Sequence, residues 1–307
     1  MSKIIFFTDL HYGANLLARN PNDISIYGKD WAMPLLRGVI KYAQSTPGTT
    51  LLSGGDEITF LSPNKDKSRK NEAKYWNVRN ANAIKEVALS ARIPFARAIG
   101  NHDLRYRADQ MAFNKYSHVF SKNALPHTDI IICQPDVKMT SQGPHWFYDP
   151  DRIIPLIDDI TNPNLVIGAH WSFDRSDVVG KASGYKYTDN TTAIRQHIES
   201  RMTEGKLHSV VSLHGHSHRY RFSNNGAMDI LTLPALTQND FVMTEFPCGI
   251  FCEIKEDEAS GELTTTFKQI ILQDTEGHQS VVRRVSPDDM KKYERGSTPR
   301  AQKSYHW

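Results

Sequence analysis

Cysteine is scarce in this sequence, and its scarcity argues against two kinds of structure. The 307 residues include three cysteines, Cys133, Cys248 and Cys252. A set this sparse and odd in number does not build a disulfide framework, so a reducing cytoplasm is the expected location. Cys248 and Cys252 have no second cysteine pair to complete a thiolate zinc site, and we interpret them as ordinary thiols.

Long hydrophobic runs are missing as well. The first apolar run, Ile4–Phe7, is shorter than the hydrophobic region of a signal peptide and is followed closely by Asp9. No apolar stretch of the sequence is long enough to span a bilayer. The sequence therefore predicts a cytoplasmic protein with no membrane partner.

A strong excess of one charge is also lacking. The net charge is +3, the sequence pI is about 8.6, and acidic stretches such as Glu253–Glu258 occur. Nucleic-acid-binding domains usually carry a larger positive charge, so nucleic acid is a possible partner that the sequence does not favour. Hydrophobic residues make up 39% and charged residues 23%, a balance that allows a globular domain with a sizeable core.

Short apolar runs alternate with helical segments in the first part of the chain. The predicted buried strands are Ile4–Phe7, Thr50–Leu52, Ile93–Ala98, Leu165–Ile167 and Ser209–Leu213. The predicted helices are Asp30–Gln44, Asn71–Ala91, Asp151–Ile160 and Thr191–Glu204. This alternation predicts an α/β fold in which these strands are mainly parallel.

The later part of the chain has the pattern of a β-rich region. Its predicted strands are Tyr220–Phe222, Asp229–Leu233, Val242–Phe246, Ile250–Ile254 and Leu263–Ile271. We expect these strands to form a second sheet within one domain over residues 1–285. Residues 286–307 are polar and basic and are predicted to be a C-terminal tail, either flexible or docked as a short helix.

Side chains that bind metals follow every predicted strand of the α/β part. They lie in Asp9-Leu10-His11, Gly54-Gly55-Asp56, Gly100-Asn101-His102-Asp103, Gly168-Ala169-His170 and His214-Gly215-His216-Ser217-His218. In open α/β sheets, ligands bind outside the carboxyl ends of the strands. We therefore expect these five segments to converge, although they are distant in sequence.

The chemistry of these side chains indicates which ions they suit. Carboxylate, imidazole and amide oxygen together favour divalent Mn, Fe, Zn or Co. Calcium and magnesium prefer oxygen ligands throughout, so they fit less well. Gly55, Gly100 and Gly215 each precede a candidate ligand, where an unusual backbone angle or a close approach favours glycine.

In their order along the chain, these blocks resemble the calcineurin-like metallophosphoesterase superfamily. Any one block occurs often by chance, but five blocks in the family's order, each after a predicted strand, are a strong signal. The resemblance spans Asp9 to His218. It implies a sandwich of two β-sheets flanked by helices. It also implies hydrolysis of a phosphomonoester or phosphodiester by a hydroxide that bridges two divalent metal ions.

The resemblance further implies a role for each matching residue. The ligands of the first metal would be Asp9, His11 and His218. The ligands of the second metal would be Asn101, His170 and His216. Asp56 would bridge the two ions because a carboxylate has two oxygens to share. His102 would protonate the leaving oxygen or stabilise charge on the phosphoryl group, and Asp103 would orient His102.

Two segments are candidates for contacting the substrate. Arg105 follows the predicted acid directly, and the long polar and aromatic segment Trp171–Asn190, with Arg175 and Lys186, follows the ligand His170. Arginine suits bidentate phosphate contacts, and long loops in compact domains are usually functional or disordered. A solvated helix start and an ordinary surface loop are the alternative interpretations.

Three functions from different classes remain open at this point. The first is a phosphoesterase for small molecules or nucleotides, and the second is a recombination-type nuclease that acts with a partner. The third is a non-catalytic metal-binding scaffold, which should lack a ligand or His102. Protein Ser/Thr phosphatases of the family differ, because they have Asp-Arg-Gly after Gly-Asp and Glu after Gly-Asn-His, where this chain has Glu57-Ile58-Thr59 and Asp103. The oligomeric state is not predicted.

Overall fold

The computed structural model of the protein describes residues 2–12, 31–58, 70–103, 118–140, 143–174, 186–187, 191–224, 226, 228–237, 249–257, 259–274 and 279–294. The strands, in chain order, are β1 (Ile4–Phe7), β2 (Thr50–Ser53), β3 (Phe95–Arg97), β4 (Val119–Leu125), β5 (Thr128–Ile132), β6 (Asp136–Thr140), β7 (Gly143–Phe147), β8 (Asn164–Gly168), β9 (Lys186–Tyr187), β10 (Ser209–His214), β11 (Arg221–Asn224), β12 (Asp229–Thr232), β13 (Ile250–Glu256), β14 (Leu263–Leu272) and β15 (Ser280–Val285).

Five α-helices connect or flank these strands in the described parts of the chain. They are α1 (Ala32–Gln44), α2 (Lys70–Ser90), α3 (Pro150–Asp158), α4 (Thr191–Thr203) and α5 (Pro287–Met290), the last continued by a 3-10 turn at Lys291–Tyr293. Helix α3 begins where the sequence favours a start, since Asp149 caps it by accepting a hydrogen bond from Asp151 N and Pro150 takes the first position. None of the described helices is long and apolar enough to cross a membrane.

Two six-stranded sheets form the body of the fold, and each has a parallel centre. The first sheet has the order β15-β14-β13-β1-β2-β3, and the second has the order β11-β12-β10-β8-β5-β4. Strands β1, β2 and β3 run parallel in the first sheet, as do β5, β8, β10 and β12 in the second. Strands β6, β7 and β9 form a small third sheet.

Alternation along the central strands divides the core into three layers. In β1, Ile4 and Phe6 face the core between the two sheets, whereas Ile5 and Phe7 face the layer of α1 and α2. Strand β8 does the same with Val166 on one face, and its other face packs in the layer that includes Ile153 of α3 and Ile194 of α4. Because both faces are covered, β1 and β8 are fully buried, which explains their continuous apolar sequences.

The predicted α/β two-sheet fold flanked by helices is confirmed. The prediction that the later strands form the second sheet is right for β11 and β12 but wrong for β13 and β14. Strands β13, β14 and β15 join β1 in the first sheet, with Ile4 opposite Ile254. The second sheet instead forms around β8 and β10 and includes the hairpin β4–β5, which the sequence analysis missed. Pairing between strands that are far apart in the sequence, such as β1 and β13, leaves no local signal in the sequence. The predicted strand Val242–Phe246 lies outside the described residues.

The start of the predicted C-terminal tail is docked on the domain. Ser286 caps α5 by accepting a hydrogen bond from Asp289 N, and Met290 and Tyr293 are buried in the core between the sheets. The backbone of Tyr293 accepts a hydrogen bond from Tyr220 N at 3.1 Å. Residues 295–307 lie outside the described residues, and the division of the chain at residue 285 stays a prediction.

Candidate metal centre

The carboxyl ends of β1, β2, β3, β8 and β10 meet at one edge of the sandwich, and the predicted ligands come together there. Their ligand atoms form three groups, each with atoms within 4.8 Å of one another: Asp9 with His11 and His218; Asp56 with His170 and His216; and His11 with Asp56 and His102. Asn101 joins the second group. All seven residues predicted to bind metal thus lie in one continuous cluster. Five of them are buried, and His216 and His218 are partly buried.

The first cluster consists of Asp9, His11 and His218. The Nε2 atoms of His11 and His218 are 3.0 Å apart. Nε2 of His218 lies 3.2 Å from Oδ1 of Asp9, and Nε2 of His11 lies 3.7 Å from the same oxygen. This oxygen of Asp9 is buried and has no hydrogen-bond partner among the described residues.

The second cluster consists of Asp56, Asn101, His170 and His216. Oδ1 of Asn101 lies 3.2 Å from Nε2 of His170 and 2.9 Å from Nδ1 of His216. Nε2 of His170 is 3.4 Å from Oδ2 of Asp56. His170 also donates a hydrogen bond from Nδ1 to the Gly54 carbonyl at 2.7 Å, which turns Nε2 toward the cluster.

These separations match the spacing of donor atoms around one metal ion. Ligands at about 2.0–2.2 Å from an ion, at angles between those of octahedral and tetrahedral coordination, are about 3–3.5 Å from each other. Most of the measured separations, from 2.9 to 3.4 Å, lie at or near this range. The residues therefore fit two divalent ions, one per cluster. Asp56 belongs to the second cluster and also lies near His11 of the first, so it stands between the two clusters.

The backbone of the ligand residues is strained in a way that the sequence analysis did not predict. Seven non-glycine residues among those described have a positive φ, and five are predicted ligands: Asp9 (54°), His11 (49°), Asp56 (51°), His216 (67°) and His218 (56°). Such left-handed residues cost about 1–3 kcal/mol each and cluster at functional sites. Asp and His tolerate the left-handed region better than most residues. The Asp-x-His block and the His-x-His block were therefore the available sequence signal for these backbone angles.

The glycines beside the ligands serve close approach more than unusual backbone angles. Gly55 has a φ of 90°, which is the unusual backbone angle that was one of the two reasons expected for these glycines. Gly100 and Gly215 have no such φ, but a side chain on Gly100 would collide with the Asp56 carboxylate. A side chain on Gly215 would collide with Thr8 and Asp9. The metal-facing turns can therefore pack against each other only without these side chains.

Solved structures share this arrangement of sheets and helices. A dimetal phosphatase from Danio rerio superposes with a TM-score of 0.58 at 12% identity, over 86% of this chain and 98% of that chain. PhoD gives a TM-score of 0.49 at 10% identity, over 92% of this chain and 68% of that chain. The NAD nucleotidase of Haemophilus influenzae gives 0.43 at 10% identity, over 95% and 54%.

The chain has the calcineurin-like metallophosphoesterase fold. At these identities the likeness concerns the fold alone, and the first of the three structures carries it. No protein-family model matches the sequence, and no curated protein matches it. The chemistry of the site has to be argued from the chain's own residues.

Burial and pairing set the charge state of the clusters. Burial alone would raise the pKa of Asp9, but the charges of His218 and His170 outweigh it and hold that pKa well below the usual range. The pKa of Asp56 is lowered in the same way by His170. Burial lowers the pKa of His216 to about 3, so this ring is neutral. Asp56 outweighs burial at His170 and raises its pKa to about 9, so metal binding there must displace a proton.

His102 lies beside the clusters at their edge. Its ring is half-buried and stands edge-on to that of His11, with 4.8 Å between the ring centroids. Its backbone N donates to Oδ1 of Asp56 at 2.7 Å. This position suits the predicted role as acid or charge stabiliser. It also places the ring within ligand distance of His11 and Asp56, so the role of His102 stays a prediction.

Asp103 contacts backbone rather than a catalytic ring in its described hydrogen bonds. Its Oδ2 accepts from Asp56 N at 2.8 Å and from Gly100 N at 3.0 Å, which joins the ends of β2 and β3. Burial and then the charges of Glu57 and Asp56 raise the pKa of Asp103 to about 7. These contacts support a structural role for Asp103, while the predicted orientation of His102 stays a prediction.

An ion pair next to Asp56 was not predicted. Glu57 is buried, and its Oε2 is 2.5 Å from Nη1 of Arg97 at the end of β3. The carbonyl of Arg97 accepts a hydrogen bond from Gln134 Nε2 at 2.7 Å, which connects the first sheet to the end of β5 in the second. Glu57 directly after Gly-Asp was the available sequence signal, since a buried carboxylate needs a partner.

His214 is not among the grouped ligand atoms of the described residues. It is the last residue of β10 and is fully buried. Its Nε2 lies 2.8 Å from Oγ of Ser212 and 3.4 Å from Phe173 N. Burial lowers the pKa of His214 to about 3, so the ring is a neutral group that joins β10 to the segment after β8.

Two of the three residues predicted to bind substrate, Arg105 and Arg175, lie outside the described residues. Lys186 belongs to the two-residue strand β9, which pairs with β7, and its side chain lies outside the described part. The segment that begins at Trp171 does start beside the clusters, since the Trp171 ring lies 4.9 Å from that of His170 and 5.6 Å from that of His216.

Proposed function

We propose that the protein is a dinuclear metal-dependent phosphoesterase that hydrolyses a phosphomonoester or a phosphodiester. The observation that carries the proposal is the pair of adjacent ligand clusters, with Asp56 near His11 of the first cluster and His102 at their edge. The fold is that of a dimetal phosphatase from Danio rerio, which supports the same class of chemistry. Two bound divalent ions would supply an activated water and offset charge on the phosphoryl oxygens.

The chain's own residues would do the rest of the chemistry. Asp9 and Asp56 bring negative charge into a buried edge, and the neutral ring of His216 and the amide oxygen of Asn101 complete the ligand set without further charge. His102 would hold a proton at the edge of the clusters and pass it to the leaving oxygen. General acid help of this kind typically contributes about 10²–10⁴-fold.

We further propose that the substrate is a small-molecule or nucleotide phosphoester. Arg105, Arg175 and Lys186 are the proposed contacts to its phosphate and leaving group, in segments that follow His102 and His170 in the sequence. A net charge of +3 gives no support for nucleic acid as the main substrate. The recombination-type nuclease and the non-catalytic scaffold are therefore outcomes of the experiment rather than second proposals.

The experiment is a substrate screen with the Mn-loaded protein. It uses nitrophenyl monoesters, nitrophenyl diesters, cyclic nucleotides and single-stranded DNA, with Asp56→Asn as the inactive variant. His208→Ala is the matched control, because His208 is exposed and outside the clusters. We expect turnover of at least one nitrophenyl ester by wild type and His208→Ala, abolished by a chelator and in Asp56→Asn.

Other outcomes of the screen would redirect the proposal. Two bound metals without turnover of any substrate would make the protein a metal-binding scaffold. Cleavage confined to DNA, with affinity that falls steeply as salt rises, would make it a nuclease. Turnover that persists in Asp56→Asn would contradict the dinuclear mechanism.

A further inference from the structure

We propose that the hydroxyl of Thr8 is a positioning group that reserves one oxygen of Asp9 for the first metal. Thr8 directly precedes Asp9 and follows β1, and neither the sequence motifs nor the shared fold give it a role. The inference rests on the proposed two-metal function. Thr8 would then affect the affinity for metal rather than the cleavage of the phosphoester bond.

The two oxygens of Asp9 have different surroundings. Oδ2 accepts a hydrogen bond from Oγ1 of Thr8 at 2.7 Å and one from the backbone N of His216 at 3.0 Å. Oδ1 has no hydrogen-bond partner among the described residues and faces Nε2 of His218 at 3.2 Å. The protein therefore occupies Oδ2 and leaves Oδ1 to the ligand cluster.

The side chain of Thr8 is closely confined by its neighbours. It is fully buried, and its carbonyl accepts a hydrogen bond from Leu236 N at 3.0 Å. Gly54 and Gly215 lie against its side chain from two neighbouring turns, and a Cβ on Gly54 would stand 2.5 Å from Oγ1. A hydroxyl confined in this way donates in a fixed direction, so it can hold the Asp9 carboxylate in one orientation.

Oδ2 of Asp9 also connects the two clusters. His216 belongs to the second cluster through its ring, while its backbone N donates to Oδ2 of Asp9 in the first. Without the hydroxyl of Thr8, Oδ2 would keep a single donor, and the carboxylate could rotate. The carboxylate of Asp9 would then have to be oriented again whenever a metal binds, and this cost weakens metal binding.

A competing explanation is that Thr8 only fills space at the end of β1. Thr8→Val keeps the shape and removes the hydroxyl, whereas Thr8→Ser keeps the hydroxyl and removes the methyl group. The positioning role and the space-filling role therefore predict opposite rankings for these two variants. Packing alone makes Thr8→Ser the worse one, because it leaves a cavity.

The test titrates Mn²⁺ into metal-free wild type, Thr8→Val and Thr8→Ser, with free Mn²⁺ read by electron paramagnetic resonance and stoichiometry by calorimetry. We expect Thr8→Val to weaken one of two Mn²⁺ sites by about 10–100-fold, the range for residues that orient a metal ligand. Thr8→Ser should bind as wild type does. The urea unfolding of each metal-free protein, measured in parallel, reports packing separately.

Equal Mn²⁺ binding by wild type and Thr8→Val would overturn the inference, as would equal weakening in Thr8→Val and Thr8→Ser. If Thr8→Val does not fold, Thr8→Cys takes its place, because a thiol has a similar size and is a weak donor. Thr8→Cys should bind Mn²⁺ more weakly than Thr8→Ser, and equal binding would again overturn the inference. A wild type that binds no Mn²⁺ would instead defeat the proposed function.

Discussion

Two buried charged clusters of this protein differ in how their charges are satisfied. One surrounds Glu253 on β13, which is 2% exposed. Its Oε2 accepts a hydrogen bond from the hydroxyl of Tyr42 at 2.6 Å and lies 3.3 Å from Nζ of Lys3. Its Oε1 lies 3.3 Å from Nζ of Lys255 and 3.8 Å from Nζ of Lys268. The protein thus supplies partners for both oxygens of this carboxylate.

The clusters of the candidate metal centre differ from the Glu253 cluster in this pairing. Oδ1 of Asp9 lacks a hydrogen-bond partner among the described residues, and the Nε2 atoms of His11 and His218 lie 3.0 Å apart. Buried charges and polar atoms have to be paired, or else they bind a cation. Burial of charge therefore does not by itself identify a site. What identifies it is the convergence of several carboxylate and imidazole atoms at the spacing of metal ligands.

The backbone separates the two regions as well. Glu253 lies in a regular strand, paired with Ile5 on one side and Thr266 on the other. Asp9 and Asp56 instead sit in left-handed turns that follow their strands. Regular pairing and closed ion pairs serve stability, whereas strain is kept where the ligand atoms must converge. Four predictions test this division, from the largest expected effect to the smallest.

The largest effect is expected for Asp56→Asn. It removes the charge of the carboxylate that is proposed to bridge the two ions, so we expect loss of both metals or of their coupling, and loss of activity. Metal content by elemental analysis and turnover of the best nitrophenyl ester are the measurements. Glu253→Gln is the control and should keep its metals. A full complement of tightly bound metal in Asp56→Asn would exclude the bridging role.

His102→Ala comes next. The metals should stay, and kcat should fall by roughly 10²–10⁴-fold because a positioned acid is missing. The loss should be smaller for a nitrophenyl ester, whose leaving group needs little protonation, than for an alkyl ester. An equal loss on both esters would indicate charge stabilisation instead of proton donation. Loss of metal in this variant would make His102 a ligand, which its distance from His11 and Asp56 permits.

Glu253→Gln should affect stability and leave the metal centre intact. The amide keeps the shape and can still accept from Tyr42, but the three lysines lose their counter-charge, so we expect a loss of about 1–3 kcal/mol in the free energy of unfolding. Urea unfolding measures it. Lys255→Gln is the matched control, because Lys255 is more than a third exposed and its pair should contribute below about 1 kcal/mol. Weakened metal binding in Glu253→Gln would contradict the separation of the two regions.

The smallest effect concerns pH. Burial alone would raise the pKa of Glu253, but the hydrogen bond from Tyr42 and the charges of Lys255 and Lys3 lower it below its ordinary value. A carboxyl with a lowered pKa in the folded state stabilises the fold above the unfolded pKa, about 4.3, and that contribution is lost as pH falls through the folded value. The stability difference between wild type and Glu253→Gln should therefore shrink as pH falls below about 4. A difference that grows there would contradict the lowered pKa.

The sequence was informative where structure is local. Strand β1 was predicted with its observed bounds, and the predicted β10 ended one residue before the observed strand. Both predictions succeeded because continuous apolar runs that end in polar groups are strong local signals. The hairpin β4–β5 was missed, since β4 (Val119–Leu125) is an edge strand that mixes exposed polar residues with apolar ones. The substrate contacts Arg105 and Arg175 stay predictions.

By itself, the sequence determined which residues are candidate metal ligands and that they follow strands, because residue chemistry and the periodicity of burial are local properties of a sequence. Only the tertiary structure decided that Asp9 divides its oxygens between Thr8 and the first cluster, and that Asp103 holds the backbone of Asp56 and Gly100. It also decided that β13 pairs with β1 across most of the chain. These features depend on contacts between segments that meet only after both sheets have formed, and on backbone angles that neighbouring turns impose.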